Sequence, residues 1–343
     1  MHMADALLAP AVAATMYAAS ATAAGVSIRQ LRRDDEAQKL PVMAVTSALV
    51  FAGQMINYTI PGTGSSGHLC GGMLLSALLG PQAGFLSMIV ILAIQCLFFA
   101  DGGLMALGAN VWNMAFYGCF VGYYFIWRPI MRGRFGLNRR ARIIAASLLG
   151  CVATLQLGAF SVVLETSLSG IAELPFGAFL ALMQPIHLAI GLVEGAVTAA
   201  VLLFVYDARP ALLREMDGPA EGKRSLRATV AILAVTAALV GGGLSLLASA
   251  NPDGLEWALF GNEEAGYSAN MGLVEERFGV ESAAAEKAAA IQEATSFLPD
   301  YAFADSDSPA GTTVSGLVGS ALVALAAVLI CFAGGFFRRK KTR

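Results

Sequence analysis

Apolar residues fall in long blocks separated by short polar stretches. Hydropathy marks about nine such blocks: Asp5–Val26, Val42–Ile60, Leu69–Leu79, Gly84–Ala100, Met105–Trp127, Ala141–Leu164, Phe176–Tyr206, Ala228–Ala248 and Val314–Phe337. Most approach the ~20 residues that a helix needs to cross a bilayer core. The pattern predicts an all-α integral membrane protein. The third block is short and flanked by glycine, so it reads as a short crossing or a re-entrant element. The seventh is long enough for a tilt or an interfacial turn.

The polar stretches are sorted by charge. Lys and Arg collect in Arg29–Lys39, Arg128–Arg142, Arg209–Arg227 and the tail Arg338–Arg343, whereas Pro61–His68, Asp101–Leu104, Glu165–Pro175 and Ser249–Thr313 carry almost none. Basic loops stay in the cytoplasm. A nine-fold alternation puts all of them there, with the N-terminus outside and the C-terminus inside a prokaryotic cell (inner) membrane. The division predicted is a seven-helix membrane unit over 1–207, a cytoplasmic linker over 208–227, and a two-helix accessory unit over 228–343. The accessory unit's outer loop is acidic, with Glu263, Glu264, Glu275, Glu276, Glu281, Glu286 and Glu293. It reads first as a solvated face, with a surface helix expected over Glu275–Thr295.

Composition sharpens the picture. The chain is 57% hydrophobic and 13% charged, against ~25% charged in soluble domains, and its mean hydropathy is +0.67. A net charge of −2 gives no reason to expect nucleic acid. Cys70, Cys96, Cys119, Cys151 and Cys331 lie in apolar stretches without C-x-x-C spacing, which argues against a disulfide framework or a zinc cluster. The first block has its basic residues after it, the opposite polarity to a cleavable leader, so a retained first helix is expected. Its small residues, among them Ala14 and Ala18, would let another membrane helix approach closely. There is no G-x-x-x-x-G-K-[ST], H-E-x-x-H or G-x-S-x-G. No nucleotide is therefore expected on this chain, and uphill transport would draw energy from a partner.

Histidine is scarce: His2, His68 and His187 are the whole set. A bulky second residue normally protects the initiator methionine, so a mature Met1-His2 terminus is expected. Its α-amine, the His2 backbone nitrogen and the His2 imidazole can then chelate one metal in fused rings. Planar nitrogen ligation suits Ni(II) or Cu(II). His68, in Gly62-Thr63-Gly64-Ser65-Ser66-Gly67-His68-Leu69, lies on the same predicted side and can supply a fourth nitrogen. Either histidine alone reads equally as a chance terminal or loop residue; together they favour a metal site. His187 and Glu194, seven apart, share a helical face, as a structural pair or as part of a transport route. Asp101 either orients a ligand or caps the next helix. Gln54, Asn57, Tyr58, Asn110 and Asn113 are polar in apolar surroundings and should meet inside the bundle. Cys70 reads as a small hydrophobe.

These stretches resemble the substrate-capturing component of energy-coupling factor transporters for cobalt and nickel. The resemblance rests on Met1-His2-Met3-Ala4-Asp5, on Gln54-Met55-Ile56-Asn57 running into Ser66-Gly67-His68-Leu69, on Asp101-Gly102-Gly103-Leu104 with Asn110 and Asn113, and on His187 with Gly191 and Glu194. Pro252-Asp253-Gly254-Leu255-Glu256 resembles the accessory component, of a type associated more with nickel systems. The resemblance implies a fusion of both parts and an importer rather than an enzyme. Its substrate would be Ni2+, or Co2+ on the same scaffold, bound by Met1, His2 and His68, with Asp101, Asn57, Ser66, Asn110, Asn113, His187 and Glu194 around the pocket. The implied partners are a transmembrane coupling subunit and cytoplasmic ATPase subunits. The loop departs from related ones in carrying Gly64 and Ser65, which bears on metal preference. The rival readings are a membrane enzyme using Asp101, His68 and Glu194 for proton chemistry, and a scaffold without a ligand.

Overall fold

The structure is a computed structural model describing residues 2–32, 40–133, 136–171, 173–215, 222–266, 271, 273, 279–280, 282–303 and 308–333. Its long helices follow the apolar blocks: α1 (Pro10–Leu31), α2 (Leu40–Gln54), α4 (Pro81–Phe99), α6 (Arg139–Leu168), α7 (Phe176–Ala208), α8 (Leu226–Gly242) and α11 (Ala310–Ala333). α5 begins at Leu107–Asn110, winds more widely as a π-helix through Val111–Trp127, and ends at Arg128–Arg132. The short α9 (Gly254–Phe260) and α10 (Ala283–Thr295) lie in the accessory unit's loop. Among the described residues, five helices are long and apolar enough to cross a membrane unaided. Basic residues of the polar stretches find partners: Arg140 meets Asp207, Arg132 meets Glu215, and Arg214 N–H donates to Ala77 O at 2.8 Å.

The third block departs from an ordinary helix. Only α3 (Gly72–Leu79) is helical, and all eight of its residues are buried. Eight residues reach about 12 Å, well short of the ~30 Å hydrocarbon core. The rest of that passage is a hairpin of β1 (Tyr58–Ile60) and β2 (Ser65–Gly67) followed by irregular backbone. Non-helical backbone at membrane depth needs protein partners, and each turn of this segment has one. Glu194 Oε2 accepts from Cys70 N at 2.7 Å and Oε1 from Gly71 N at 2.9 Å. Gln54 Nε2 donates to Cys70 O at 2.7 Å and is itself held through its Oε1 by Gln95 Nε2 at 2.9 Å. Gly71 turns the chain with φ +81°, where any β-carbon would strike Val50. The second block likewise ends as a helix at Gln54 and continues as β1, and the eighth ends at Gly242 ahead of a 3-10 turn.

Small residues set the helix contacts. Gly191 and Gly195 of α7 sit so close to α6 that added β-carbons would approach Val152 Cα at 2.8 Å and Leu148 Cα at 2.7 Å. One turn away, Gln156 Nε2 donates to Gln184 O at 2.9 Å and Gln184 Nε2 to Gln156 O at 3.1 Å. In the accessory unit, a β-carbon at Gly316 of α11 would collide with the carbonyl of Gly241 in α8. The expected surface helix over Glu275–Thr295 begins at Ala283; Glu275, Glu276 and Glu281 lie outside the described residues, and Glu286 and Glu293 are exposed. Cys70, Cys96, Cys119 and Cys151 are buried free thiols.

Replacing Gly316 with Leu should therefore part α8 from α11 and cost about 1–3 kcal/mol. Gly177, with no atom near its missing β-carbon, should accept Ala without loss. Thermal unfolding of the two purified variants checks this; equal midpoints would disprove the contact.

Candidate metal centre

The N-terminal segment enters the bundle as extended backbone and is latched along its length. Met3, fully buried, donates its N–H to Asn110 Oδ1 at 2.7 Å, and its carbonyl accepts from Asn110 Nδ2 at 3.1 Å and Gly103 N at 2.9 Å. Asp5 Oδ1 accepts from Ala106 N at 2.9 Å. Asn113 Nδ2 reaches Glu165 Oε2 at 2.8 Å and the Met3 sulfur at 3.5 Å. The paired glycines after Asp101 serve this contact. Gly102 has φ +80° with His2 Cβ 3.2 Å from where its own β-carbon would be, and a side chain at Gly103 would overlap Asp5.

His2 and His68 meet at the end of this latch. Their rings stack with centroids 5.1 Å apart and planes 20° from parallel. His2 Nδ1 lies 3.0 Å from Asp101 Oδ1, and its buried Nε2 meets no hydrogen-bond partner among the described residues. His68 Nδ1–H donates to Leu69 O at 3.1 Å, and its Nε2 lies 3.9 Å from Asp253 Oδ2. Burial is the main cause lowering the pKa of both imidazoles, and the neighbouring histidine lowers that of His68 further. Both rings are thus neutral at ordinary pH, the state that offers a lone pair to a metal. The Asp253 carboxyl is held below the usual carboxylate range: burial alone would raise it, and the positive N-terminal amine, with the backbone N–H of Glu256, outweighs that effect.

Among the described residues, no three His, Cys, Asp or Glu side chains converge to hold a metal by themselves. Met1 lies outside the described residues.

The other expected pocket residues divide. Asn110 and Asn113 act on Met3 and hold the terminus in place. Ser66 turns away from the imidazoles, its Oγ donating to Asn251 O at 2.8 Å. Asn57 contributes its carbonyl to Ser249 N at 2.7 Å. His187 and Glu194 do not pair: His187 Nδ1–H donates to Met183 O at 2.8 Å, and Glu194 is spent on Cys70 and Gly71. Three residues of the accessory unit join the site without having been assigned to it by the sequence. Asp253 faces His68. Tyr301 O–H donates to Asp101 Oδ2 at 2.6 Å, and Gln292 Nε2 to Gly102 O at 2.7 Å. Asp253 carries a sequence signal, the Pro-Asp-Gly-Leu-Glu run; Gln292 and Tyr301 carry none, because their partners are remote in the chain.

The chain resembles known proteins along nearly its whole length. Residues 2–212 match the cobalt uptake substrate-specific transmembrane region, and residues 227–334 match the PDGLE domain. A putative fused nickel transport protein of Archaeoglobus fulgidus is 36% identical over 94% of this chain and 95% of its own length. A fused nickel transport protein of Rhodobacter capsulatus is 33% identical over 94% and 95%. The crystal structure of a truncated transition metal transporter superposes with a TM-score of 0.52 at 32% identity, covering 60% of this chain and 98% of that one. The chain belongs to the cobalt-uptake substrate-specific transmembrane family, with a PDGLE domain attached. It is a multi-pass membrane component of metal uptake and not an enzyme.

Removing the latch on the N-terminal segment should be measurable without any metal. Asn110→Ala should speed amide exchange at Met3 and Gly103 by about tenfold or more, the equivalent of a buried hydrogen-bond pair. Unchanged protection would disprove the latch.

Proposed function

We propose that this member of the family captures Ni(II) outside the cell in a planar site of four nitrogens: the Met1 α-amine, the His2 backbone nitrogen, the His2 imidazole and the His68 imidazole. The observation that carries the reading is the buried, stacked pair of neutral imidazoles, one on a latched terminus and one on a braced loop. Tetragonal nitrogen sites select Ni(II) or Cu(II) by geometry, and both full-length relatives above are described as nickel transport proteins. Asp101 steadies the His2 ring, and Asn110 and Asn113 hold the segment that carries it. The family description itself names cobalt, so Co(II) on the same scaffold is the second reading.

Residues 1–207 form the capture unit, 208–227 the linker and 228–343 the accessory unit, with the basic end in the cytoplasm and the N-terminus outside. Energy comes from separate subunits of an energy-coupling factor transporter, a transmembrane coupling protein and two cytoplasmic ATPases. α1 supports a docking role: it gives Ala13, Ser20 and Ser27 to the bundle and turns Ala14, Ala18, Ala21 and Gly25 outward. Outward small residues allow another membrane helix to approach.

Metal titration of the purified chain tests the site. An added N-terminal tag and, separately, His68→Ala should each remove the tight one-per-chain Ni(II) and its planar absorption band, lowering affinity by at least about 100-fold. Asp101→Asn should keep the band and weaken binding about 10- to 100-fold, as outer partners of ligating histidines do. Native-like binding in both the tagged chain and His68→Ala would overturn the reading. Competition between Ni(II) and Co(II) in the native chain settles the metal.

A further inference from the structure

The chain leaving α7 does not run straight into the linker. After Ala208 it makes one 3-10 turn, Pro210–Leu212, and Leu213 is then buried. Arg214 grips the end of α3 with both backbone and side chain. Its N–H donates to Ala77 O at 2.8 Å and its Nη2 to Leu79 O at 3.3 Å. A cation suits this place, because the last carbonyls of a helix have no partner within it. The Arg214 carbonyl accepts from Trp127 Nε1 of α5 at 3.3 Å. Glu215 completes the contact with α5. Its Oε1 accepts from Tyr123 O–H at 2.7 Å and lies 3.6 Å from Arg128 Nε, while Oε2 pairs with Arg132. Glu215 has φ +65°, a conformation that a non-glycine residue keeps only where its surroundings impose it.

The other end of α3 starts at Gly72, directly after the Cys70–Gly71 turn that Glu194 and Gln54 hold. Between these two fixed ends α3 spans about 12 Å. Glycines of three neighbouring helices face it. A β-carbon at Gly84 of α4 would stand 3.0 Å from Ser76 N, and one at Gly118 of α5 3.0 Å from Gly72 Cα. At Gly122 of α5 and Gly150 of α6 it would meet the Met73 side chain at 2.3 Å and 2.4 Å. Packing this close leaves a short helix little room to bend, so displacement at one end passes to the other.

The two ends are not equally strong. Glu194 and Gln54 are buried. The Arg128 and Arg132 side chains that hold Glu215 are 42% and 56% exposed, and ion pairs so placed exchange for water at little cost. The Arg214 end is therefore the one that yields first. The proposed orientation puts it in the cytoplasm, where the ATPase subunits act. The linker also returns here, with Arg224 N donating to Ala208 O at 3.0 Å.

We propose that Leu213-Arg214-Glu215 is a clasp on the inner end of α3 that opens to let the captured cation leave towards the cytoplasm, with α3 carrying the movement to the loop of His68. This inference rests on the metal-capture reading and its orientation, and its test separates the two.

The clasp is locked in one variant and loosened in another. Arg132→Cys with Glu215→Cys is joined by a short bifunctional thiosulfonate across the place of the native ion pair, and a reductant removes the bridge. The locked chain should keep the planar Ni(II) band and its affinity, which also shows that it is folded. In the complete transporter, locking should slow uptake of Ni(II) by at least about tenfold relative to the same variant before linking, and reduction should restore it. Glu215→Ala should release bound Ni(II) to a chelator about tenfold faster with the planar band retained. Asp207→Ala, which breaks the Arg140 pair at the inner end of α7, should change neither rate. Undiminished uptake by the locked transporter would overturn the clasp. So would a native release rate in Glu215→Ala, or loss of the planar metal on locking, since the segment would then shape the site rather than govern release. If the native chain shows no planar Ni(II), the capture reading has failed, and uptake with and without the lock still decides the clasp.

Discussion

The Glu194 carboxylate holding the N–H groups of Cys70 and Gly71 is the interaction on which the rest of the structure depends. A chain that stops being helical inside a bilayer leaves backbone groups that lipid cannot satisfy. Here the break falls just after His68, and a single side chain from α7 spans it with both oxygens. Gln54 answers the carbonyl of the same turn, and Gln95 steadies Gln54. This bracing lets an irregular loop carry His68 into the bundle at a fixed place. A continuous helix through this block would satisfy its own backbone and leave no such loop.

The second half of the centre is built by the opposite route. The N-terminal segment has no secondary structure to hold it at His2 and Met3, so its position comes from side chains. Asn110 pairs with the Met3 backbone as a strand neighbour would, and Gly102 and Gly103 clear the space for it. The result is two imidazoles from distant parts of the chain stacked in a site dry enough to keep both neutral. Neutrality favours a metal over a proton there. The same dryness makes the neighbouring carboxylates consequential, since a charge acts more strongly where water is excluded.

The accessory unit is part of this arrangement rather than an appendage. Its loop reaches the centre at two points, Asp253 beside His68 and Tyr301 on the Asp101 that faces His2. Gln292 caps the carbonyl of Gly102 between them. Each imidazole of the proposed site therefore has a carboxylate neighbour that the accessory unit either supplies or holds. Fusion of the two units in one chain keeps their ratio fixed at a place where both are needed.

Several properties were set by the sequence alone. Long apolar blocks and sorted basic loops dictate a helical membrane protein, because hydropathy and charge act locally and need no knowledge of packing. The scarcity of histidine singled out His2 and His68, and Gly191, which packs α7 on α6, stood in the stretch with His187 and Glu194 already noted. Other features belonged to the tertiary structure. The third block read as apolar, but whether it formed a full helix depended on Glu194, 123 residues away from Gly71. The seven-residue spacing of His187 and Glu194 suggested a pair, yet each found a backbone partner instead once the loop and helix were in place. Tyr301 and Gln292 carry ordinary identities in an acidic loop, and only docking brings them to Asp101 and Gly102. Periodicity and composition record what a residue prefers as a neighbour, whereas which neighbour it meets is decided by the packing of helices remote in sequence.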